Sequence, residues 1–155
     1  MIKKIIGQIT AAIATTDSEG KTSKERESAL RLATAVLMVD VARADNEFDE
    51  AEFDRLLRLI ESHFDLTAED SAELVNAAND KADEIVSVHD FTQLLHEHLD
   101  EEEKARIVGL LWQVAYADGR LDKYEDSLVL KISDLLYVSR GRVMRLKHDA
   151  QQAAS

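Results

Sequence analysis

Apolar residues recur along this chain at steps of three and four, the spacing that places them on one face of an α-helix. Short polar stretches separate the periodic segments and carry helix-capping residues such as Thr67, Asp100 and Ser139. Because the breaks are short, they favour antiparallel neighbours in one bundle. The predicted fold class is therefore all-α, a single helical-bundle domain of about seven core helices plus an N-terminal helix. The predicted helices span about residues 1–14, 24–44, 50–64, 68–86, 88–98, 101–117, 123–137 and 140–152.

Two of the predicted helices are apolar on almost every side. They contain the segments ALRLATAVLMVDVARA, residues 29–44, and IVGLLWQVAYA, residues 107–117. Helices of this kind are buried in the middle of a bundle. Trp112 is therefore expected in the core, and Asp40 is expected to pair locally with Arg43. The absence of proline and the presence of only five glycines agree with long helices.

The N-terminal segment carries an isoleucine stripe of its own. It predicts an amphipathic helix at 1–14, a polar linker at 15–23 and a helical domain at 24–152. Thr22 or Ser23 is expected to cap the first domain helix, with Glu25 completing a capping box. Three interpretations of the stripe stay open. Residues 1–14 pack on the domain, dock a partner helix, or contact a membrane surface with help from Lys3 and Lys4.

The net charge limits the classes of partner that this chain can bind, and its cysteine content bears on the cellular compartment. The formal charge is -12 and the sequence pI is about 4.8, so a nucleic acid partner is excluded and cations or basic protein surfaces are favoured. The chain has no cysteine, which fits a reducing compartment. No apolar run reaches the ~18 residues that span a membrane. Gln8 and Thr10 interrupt the N-terminal apolar stretch, so it is interpreted as mature protein and a cytoplasmic location is expected.

An internal repeat is the most informative pattern. Residues 37–53, LMVDVARADNEFDEAEF, align without gaps on residues 110–126, LLWQVAYADGRLDKYED, with seven identities across 17 positions. When the alignment is shifted by one residue, it continues and pairs Leu66-Thr67 with Val138-Ser139. The match predicts two pseudo-symmetric halves of about 25–86 and 99–152. The identical pairs are Leu37/Leu110, Val41/Val114, Ala42/Ala115, Ala44/Ala117, Asp45/Asp118, Asp49/Asp122 and Glu52/Glu125.

Each copy contains a turn with the pattern Ala-Asp-(Asn or Gly)-x-(Phe or Leu)-Asp-x-x-Glu. A structural explanation accounts for much of it. The Asn or Gly tolerates the left-handed conformation that ends a helix. Asp49 and Asp122 are suitable N-caps, and Glu52 and Glu125 sit three residues later, where they would complete capping boxes.

Cation binding is the alternative explanation of the same turns. Asp45 and Asp118 lie at helix carboxyl ends, where the helix dipole disfavours an anion by roughly 0.3–1 kcal/mol. Three carboxylates per turn suit a hard divalent cation such as calcium or magnesium. Neither turn is an EF-hand, because the twelfth loop position is Leu56 or Val129. The candidate metal ligands are Asp45, Asp49, Glu52, Asp118, Asp122 and Glu125.

Catalytic motifs are missing from the sequence. It contains no HExxH, GxSxG or SxxK pattern and no glycine-rich phosphate loop, so no catalytic residue is predicted. His96 and His98 are two residues apart on one predicted helix and point to different faces, which makes them a poor ligand pair. The histidines are therefore expected on the surface or in packing contacts.

The long apolar helix that ends in ADN or ADG before an acidic helix start resembles the TerB-like tellurite-resistance family. The resemblance covers about residues 25–150. It implies an all-helical domain of about seven core helices and a role in bacterial metal or stress resistance. It also implies that the six turn acids bind metal. The expected function is a non-catalytic cytoplasmic binding module with a protein partner. The alternative is an interaction scaffold whose turn acids are only helix caps.

Overall fold

Seven helices make up the part of the chain that the computed structural model describes, residues 20–44, 50–84, 88–117 and 121–154. These ranges contain no β-strand, which confirms the all-α class. The predicted helix at 1–14 and its isoleucine stripe lie outside them. The helices are α1 (Gly20–Ala42), α2 (Glu50–Phe64), α3 (Ala68–Glu84), α4 (Val88–His98), α5 (Glu101–Ala115), α6 (Lys123–Leu135) and α7 (Arg140–Ala154).

The helix bounds follow the hydrophobic pattern closely, with one clear difference. Helices α2 and α4 have the predicted bounds, whereas α5 and α6 end two residues before the predicted 117 and 137. Helix α3 reaches Glu84, and the predicted end at 86 lies outside the described residues. Helix α1 begins at Gly20, inside the predicted linker, so Thr22 and Ser23 are helical and the cap predicted there is wrong. No residue between Gly20 and the apolar segment breaks a helix, and α1 therefore extends back to the glycine.

Helices α1 and α5 form the centre of the bundle. Helix α1 packs against α2, α3, α5 and α6, and α5 also contacts α2, α6 and α7. Trp112 is fully buried, as predicted, and Tyr116 also belongs to the core. Burying one Leu or Ile side chain stabilises the fold by about 1.5–3 kcal/mol, so these two helices supply much of the hydrophobic stabilisation. Their buried residues include Val36, Leu37, Met38, Val39 and Val41 on α1, and Val108, Leu110, Leu111 and Val114 on α5.

Side-chain caps begin three of the helices as the sequence predicts. Thr67 Oγ1 accepts a hydrogen bond from the Asp70 N–H at 3.1 Å. At α5, Asp100 accepts from the Glu103 N–H at 2.8 Å and Glu103 accepts from the Asp100 N–H at 3.1 Å, a complete capping box. Ser139 Oγ accepts from the Arg142 N–H at 3.4 Å. These bonds satisfy N–H groups that the first turn leaves without helical partners.

Two helices end on residues with left-handed backbone. Asp65 follows α2 with φ 52°, and Tyr137 follows α6 with φ 60°. The next residue in each case donates its N–H back five residues, from Leu66 to the Glu61 carbonyl at 3.2 Å and from Val138 to the Ser133 carbonyl at 3.1 Å.

The two halves of the described fold share these helix ends and their packing order. The ends fall at positions that the predicted repeat aligns, and the first helix of each half packs on the third, α1 on α3 and α5 on α7. The internal duplication itself stays a prediction. No helix in the described ranges combines the length and the apolar character that crossing a membrane requires.

Candidate functional site at the two acidic turns

Three of the six candidate acids fall within the described residues. Glu52 lies in the first turn of α2, Asp122 immediately precedes α6, and Glu125 lies in the first turn of α6. The other three predicted ligands, Asp45, Asp49 and Asp118, lie outside the described residues.

Asp122 caps α6 through a single carboxylate oxygen. Its Oδ2 accepts hydrogen bonds from the Tyr124 N–H at 2.8 Å and the Glu125 N–H at 3.3 Å. Its backbone is extended, with φ -79° and ψ 144°, as an N-cap residue requires. Within the described part of the chain, Oδ1 accepts no hydrogen bond. Helix capping therefore leaves one oxygen of Asp122 for a second ligand.

Glu125 departs from the predicted capping box. The Asp122 carboxylate accepts from the Glu125 N–H, but among the described residues no hydrogen bond returns from the Asp122 N–H to the Glu125 side chain. Glu125 instead turns inward, where it is only 8% exposed. Burying a carboxylate is unfavourable unless opposite charge or hydrogen bonds compensate for the lost water. Capping alone does not require this orientation, since Glu103 completes its box at the surface of α5.

The glutamates of the two turns share one small cavity. Glu52 and Glu125, which the repeat alignment pairs, both line it. The cavity holds about 30 Å³, enough for one or two water molecules or a single ion. The sequence predicts one set of ligands at each turn, whereas the fold directs one glutamate from each turn into the same space. The remaining lining residues are Ala42, Arg55, Leu56, Leu59, Val114 and Ala117.

Arg55 is the residue of this site that the sequence analysis missed. It lines the cavity with the two glutamates, so the described wall carries two carboxylates and one guanidinium. The spacing in the sequence could have identified Arg55 as part of the site, because it follows Glu52 by three residues and shares its face of α2. A cation entering the cavity would therefore share this space with the positively charged Arg55 side chain.

The described residues alone do not form a complete metal centre. They contain no group of three or more His, Cys, Asp or Glu side chains placed to hold an ion. A cation between Glu52 and Glu125 would therefore also need carboxylates from the turn segments outside the described residues.

His96 has the packing role that the sequence predicts. The Lys104 Nζ donates a hydrogen bond to His96 Nδ1 at 2.9 Å, and the imidazole stacks on Tyr137 with ring centroids 4.4 Å apart. Lys104 is 2% exposed and also contacts Glu101 Oε1 at 2.9 Å. These contacts place the half-buried His96 beside the buried Lys104 at the edge of the bundle.

The family of this chain follows from comparison with known proteins. The chain matches the family model described as "Tellurite resistance protein TerB" over residues 31–148. No curated protein and no solved structure matches it. The matched segment begins in α1 and ends in α7, so it includes both acidic turns and nearly the whole described bundle. The chain belongs to the TerB tellurite-resistance family.

Proposed function

We propose that this protein is a non-catalytic, cytoplasmic binding module of a bacterial metal or tellurite stress response. Its two acidic turns together bind one divalent cation, calcium or magnesium. The observation that carries the proposal is the inward orientation of Glu125, which is 8% exposed and lines a cavity with Glu52. The non-catalytic role is supported by the family, which is generally non-enzymatic.

The chemistry of the turns suits a hard cation. Carboxylate oxygens are the preferred ligands of calcium and magnesium, and Glu52 on α2 and Glu125 on α6 line the same cavity of about 30 Å³. The proposed ligand set also includes Asp45, Asp49 and Asp118, the other acids that the sequence pattern assigns to the two turns. Asp122 contributes its Oδ1 while Oδ2 continues to cap α6.

Arg55 gives the proposal a distinctive consequence. Its guanidinium shares the cavity with both glutamates and repels an entering cation. Replacing the arginine with a neutral side chain of similar length removes that repulsion. A bound cation should therefore bind more tightly to Arg55→Gln than to wild type, while a helix cap would be indifferent to this change.

Calorimetric titration with calcium, magnesium and zinc tests the site on wild type, Glu125→Gln and Arg55→Gln. We expect one saturable site for calcium or magnesium in wild type. Glu125→Gln should weaken binding at least about tenfold, because a neutral amide replaces a charged ligand. Arg55→Gln should strengthen binding several-fold. Glu73→Gln, which changes an exposed glutamate on α3, is the matched control and should bind as wild type does.

The alternative role is an interaction scaffold whose turn acids are only helix caps, which the two hydrogen bonds of Asp122 favour. If no ion produces saturable heat and no ion raises the melting temperature, the cation site is rejected and the scaffold is retained. Equal weakening by Glu125→Gln and Glu73→Gln would also reject it, because binding would then follow overall charge.

A further inference from the structure

A second and larger cavity, the α1–α2–α5 groove, lies between α1, α2 and the start of α5. It has a volume of about 270 Å³ and shares no lining residue with the acidic-turn cavity. This volume corresponds to about nine water molecules at roughly 30 Å³ each, so the groove has room for side chains from outside the described bundle. The lining residues are Arg31, Thr34, His63, Phe64, Leu99, Glu103, Arg106, Ile107 and Leu110.

The polar side chains in the wall of this groove already have partners. Arg31, Thr34 and Glu103 each take part in an interaction within the folded chain. The Arg31 guanidinium carbon also lies 5.8 Å from the centroid of the Phe64 ring, within cation–π range. The Glu103 carboxylate accepts a hydrogen bond from the Asp100 N–H at 3.1 Å. A charged ligand is therefore not needed to satisfy these groups.

The remaining wall of the groove is apolar. Leu99, Ile107 and Leu110 are nearly fully buried core residues, and each presents its remaining face to the groove. The half-buried Phe64 packs against the core beside them, and its ring meets His63 edge to face with centroids 4.9 Å apart. Apolar side chains in this space would make dispersion contacts and remove apolar surface from water. The groove therefore suits an apolar occupant.

The chain that precedes α1 is long enough to reach this groove. Arg31 lines the groove eleven residues after Gly20, where α1 begins, whereas Ala42 at the other end of α1 lines the acidic-turn cavity. Eleven helical residues span about 16 Å. Residues 15–19 can extend up to about 17 Å, enough for the chain to reverse direction. The helix predicted at 1–14 is about 21 Å long, so it reaches the groove when it folds back along α1.

The sequence of this segment matches the apolar character of the groove. Its first two predicted turns, which would lie opposite the groove, carry Ile2, Ile5 and Ile6 on one face. Lys4 and Ala11 lie on the opposite face, so the lysine stays in water when the isoleucines are buried. A four-carbon isoleucine side chain takes up roughly the space of four water molecules, so about two of them fill the groove.

We propose that residues 1–14 of this chain dock in the α1–α2–α5 groove, with the isoleucines of the first two turns against Leu99, Ile107 and Leu110. Because the segment is tethered, it meets the groove at an effective concentration of about millimolar. It therefore occupies the groove ahead of a second copy or a partner helix at micromolar concentration. The proposal is independent of the proposed cation site, since different residues line the two cavities.

Paramagnetic broadening in NMR spectra of the full chain tests the docking. The chain has no cysteine, so Lys4→Cys provides a unique attachment point for a nitroxide label. We expect the label to broaden the methyl resonances of Leu99 and Ile107 in the groove. The methyl resonances of Leu56, which lines the acidic-turn cavity, should broaden much less. Chemical reduction of the nitroxide should restore every resonance.

A pair of charge-matched variants separates the isoleucine face from the rest of the segment. Ile5→Asp/Ile6→Asp should abolish the broadening and lower the melting temperature by about 3 °C or more, because two carboxylates cannot enter an apolar groove. Gln8→Asp/Ala11→Asp adds the same charge away from the isoleucine face and should retain the broadening and the melting temperature. The fluorescence of Trp112, the single tryptophan, checks that both variants remain folded.

Three outcomes would overturn the proposal. The first is uniform or absent broadening in the labelled chain, which combined with sedimentation on phosphatidylserine vesicles would assign the segment to a membrane surface. The second is broadening of an isotopically labelled chain by a separate nitroxide-labelled copy, which would make the occupant a second molecule. The third is equal loss of broadening in the two charge-matched variants. None of these outcomes affects the cation titration, which reports on the other cavity.

Discussion

At the scale of single residues, two buried serines with different hydrogen bonding offer a matched comparison. Ser71 on α3 and Ser133 on α6 are both 0% exposed. Ser133 Oγ donates to the Val129 carbonyl at 2.7 Å, whereas the Ser71 hydroxyl has no hydrogen-bond partner in the described part of the protein. A buried polar group without a partner costs about 1–3 kcal/mol, so Ser71 is a local destabilising feature.

We therefore expect Ser71→Ala to raise the free energy of unfolding by about 1 kcal/mol, because it removes the unpaired hydroxyl and improves helix propensity. Ser133→Ala removes a satisfied hydroxyl and should leave stability unchanged or lower it by up to about 1 kcal/mol. Urea unfolding followed by Trp112 fluorescence measures both. Destabilisation by Ser71→Ala would mean that the hydroxyl has a favourable contact, such as a bound water.

The hydrogen bonding of these two serines could not be predicted from the sequence. Both serines lie in predicted helices, but the sequence contains no sign of which hydroxyl has a partner. The burial of Glu125 is similar, because a capping box and an inward-facing carboxylate require the same Asp-x-x-Glu spacing. Rotamer choice depends on neighbouring helices, and those neighbours are distant in the sequence.

At the scale of helices, the carboxyl-terminal ends were harder to predict than the starts. The starts follow side-chain chemistry that is local, so Thr67, Asp100 and Ser139 were predictable as caps. The ends of α2 and α6 instead use left-handed backbone at Asp65 and Tyr137, which are not glycines. Such residues carry a steric penalty of roughly 1 kcal/mol that tertiary packing of the flanking helices must offset.

Asp65→Gly should stabilise the protein by about 0.5–1 kcal/mol, because glycine adopts φ 52° without a Cβ clash and the change removes an anion from the carboxyl end of α2. Thermal unfolding should show a rise of a few degrees. Asp65→Asn is the control for charge alone and should give a smaller increase. A lower melting temperature for Asp65→Gly would show that flexibility of the unfolded chain outweighs the relieved strain. Asp65 suits this test better than Tyr137, because substitution of Tyr137 would also remove its ring contact with His96.

At the scale of the whole molecule, packing between helices controls the titration of Asp40. This carboxyl lies on α1 and was expected to pair locally with Arg43. Loss of solvent on burial raises its pKa above the ordinary value of 3.8, and the cations of Arg43 and of Lys131 on α6 lower it less strongly. Arg43 thus acts on Asp40 electrostatically, while its guanidinium donates a hydrogen bond to Asn79 Oδ1 at 3.3 Å, so the predicted local pair stays a prediction. Burial and the Lys131 contribution come from the assembled bundle.

The raised pKa has a definite consequence for stability. The folded protein holds the Asp40 proton more tightly than the unfolded chain does, so stability falls as the pH rises from 3.8 through the raised pKa. Asp40→Asn, which is neutral at every pH, should therefore be more stable than wild type at pH 7. The difference should narrow as the pH approaches 4. Urea unfolding across this range measures it, with Asp54→Asn at an exposed site as control. A constant difference between pH 4 and pH 7 would contradict the prediction.

The sequence by itself determined the helix class, most helix bounds, the central positions of α1 and α5, and the resemblance to the TerB family. These properties depend on local periodicity and capping, which operate within a few residues. Only the tertiary structure decided that Glu52 and Glu125 share a cavity with Arg55, and that Arg31, His63 and Arg106 meet around another. Such groupings depend on how helices cross, and crossing geometry follows from side-chain packing across the whole bundle rather than from spacing along one helix.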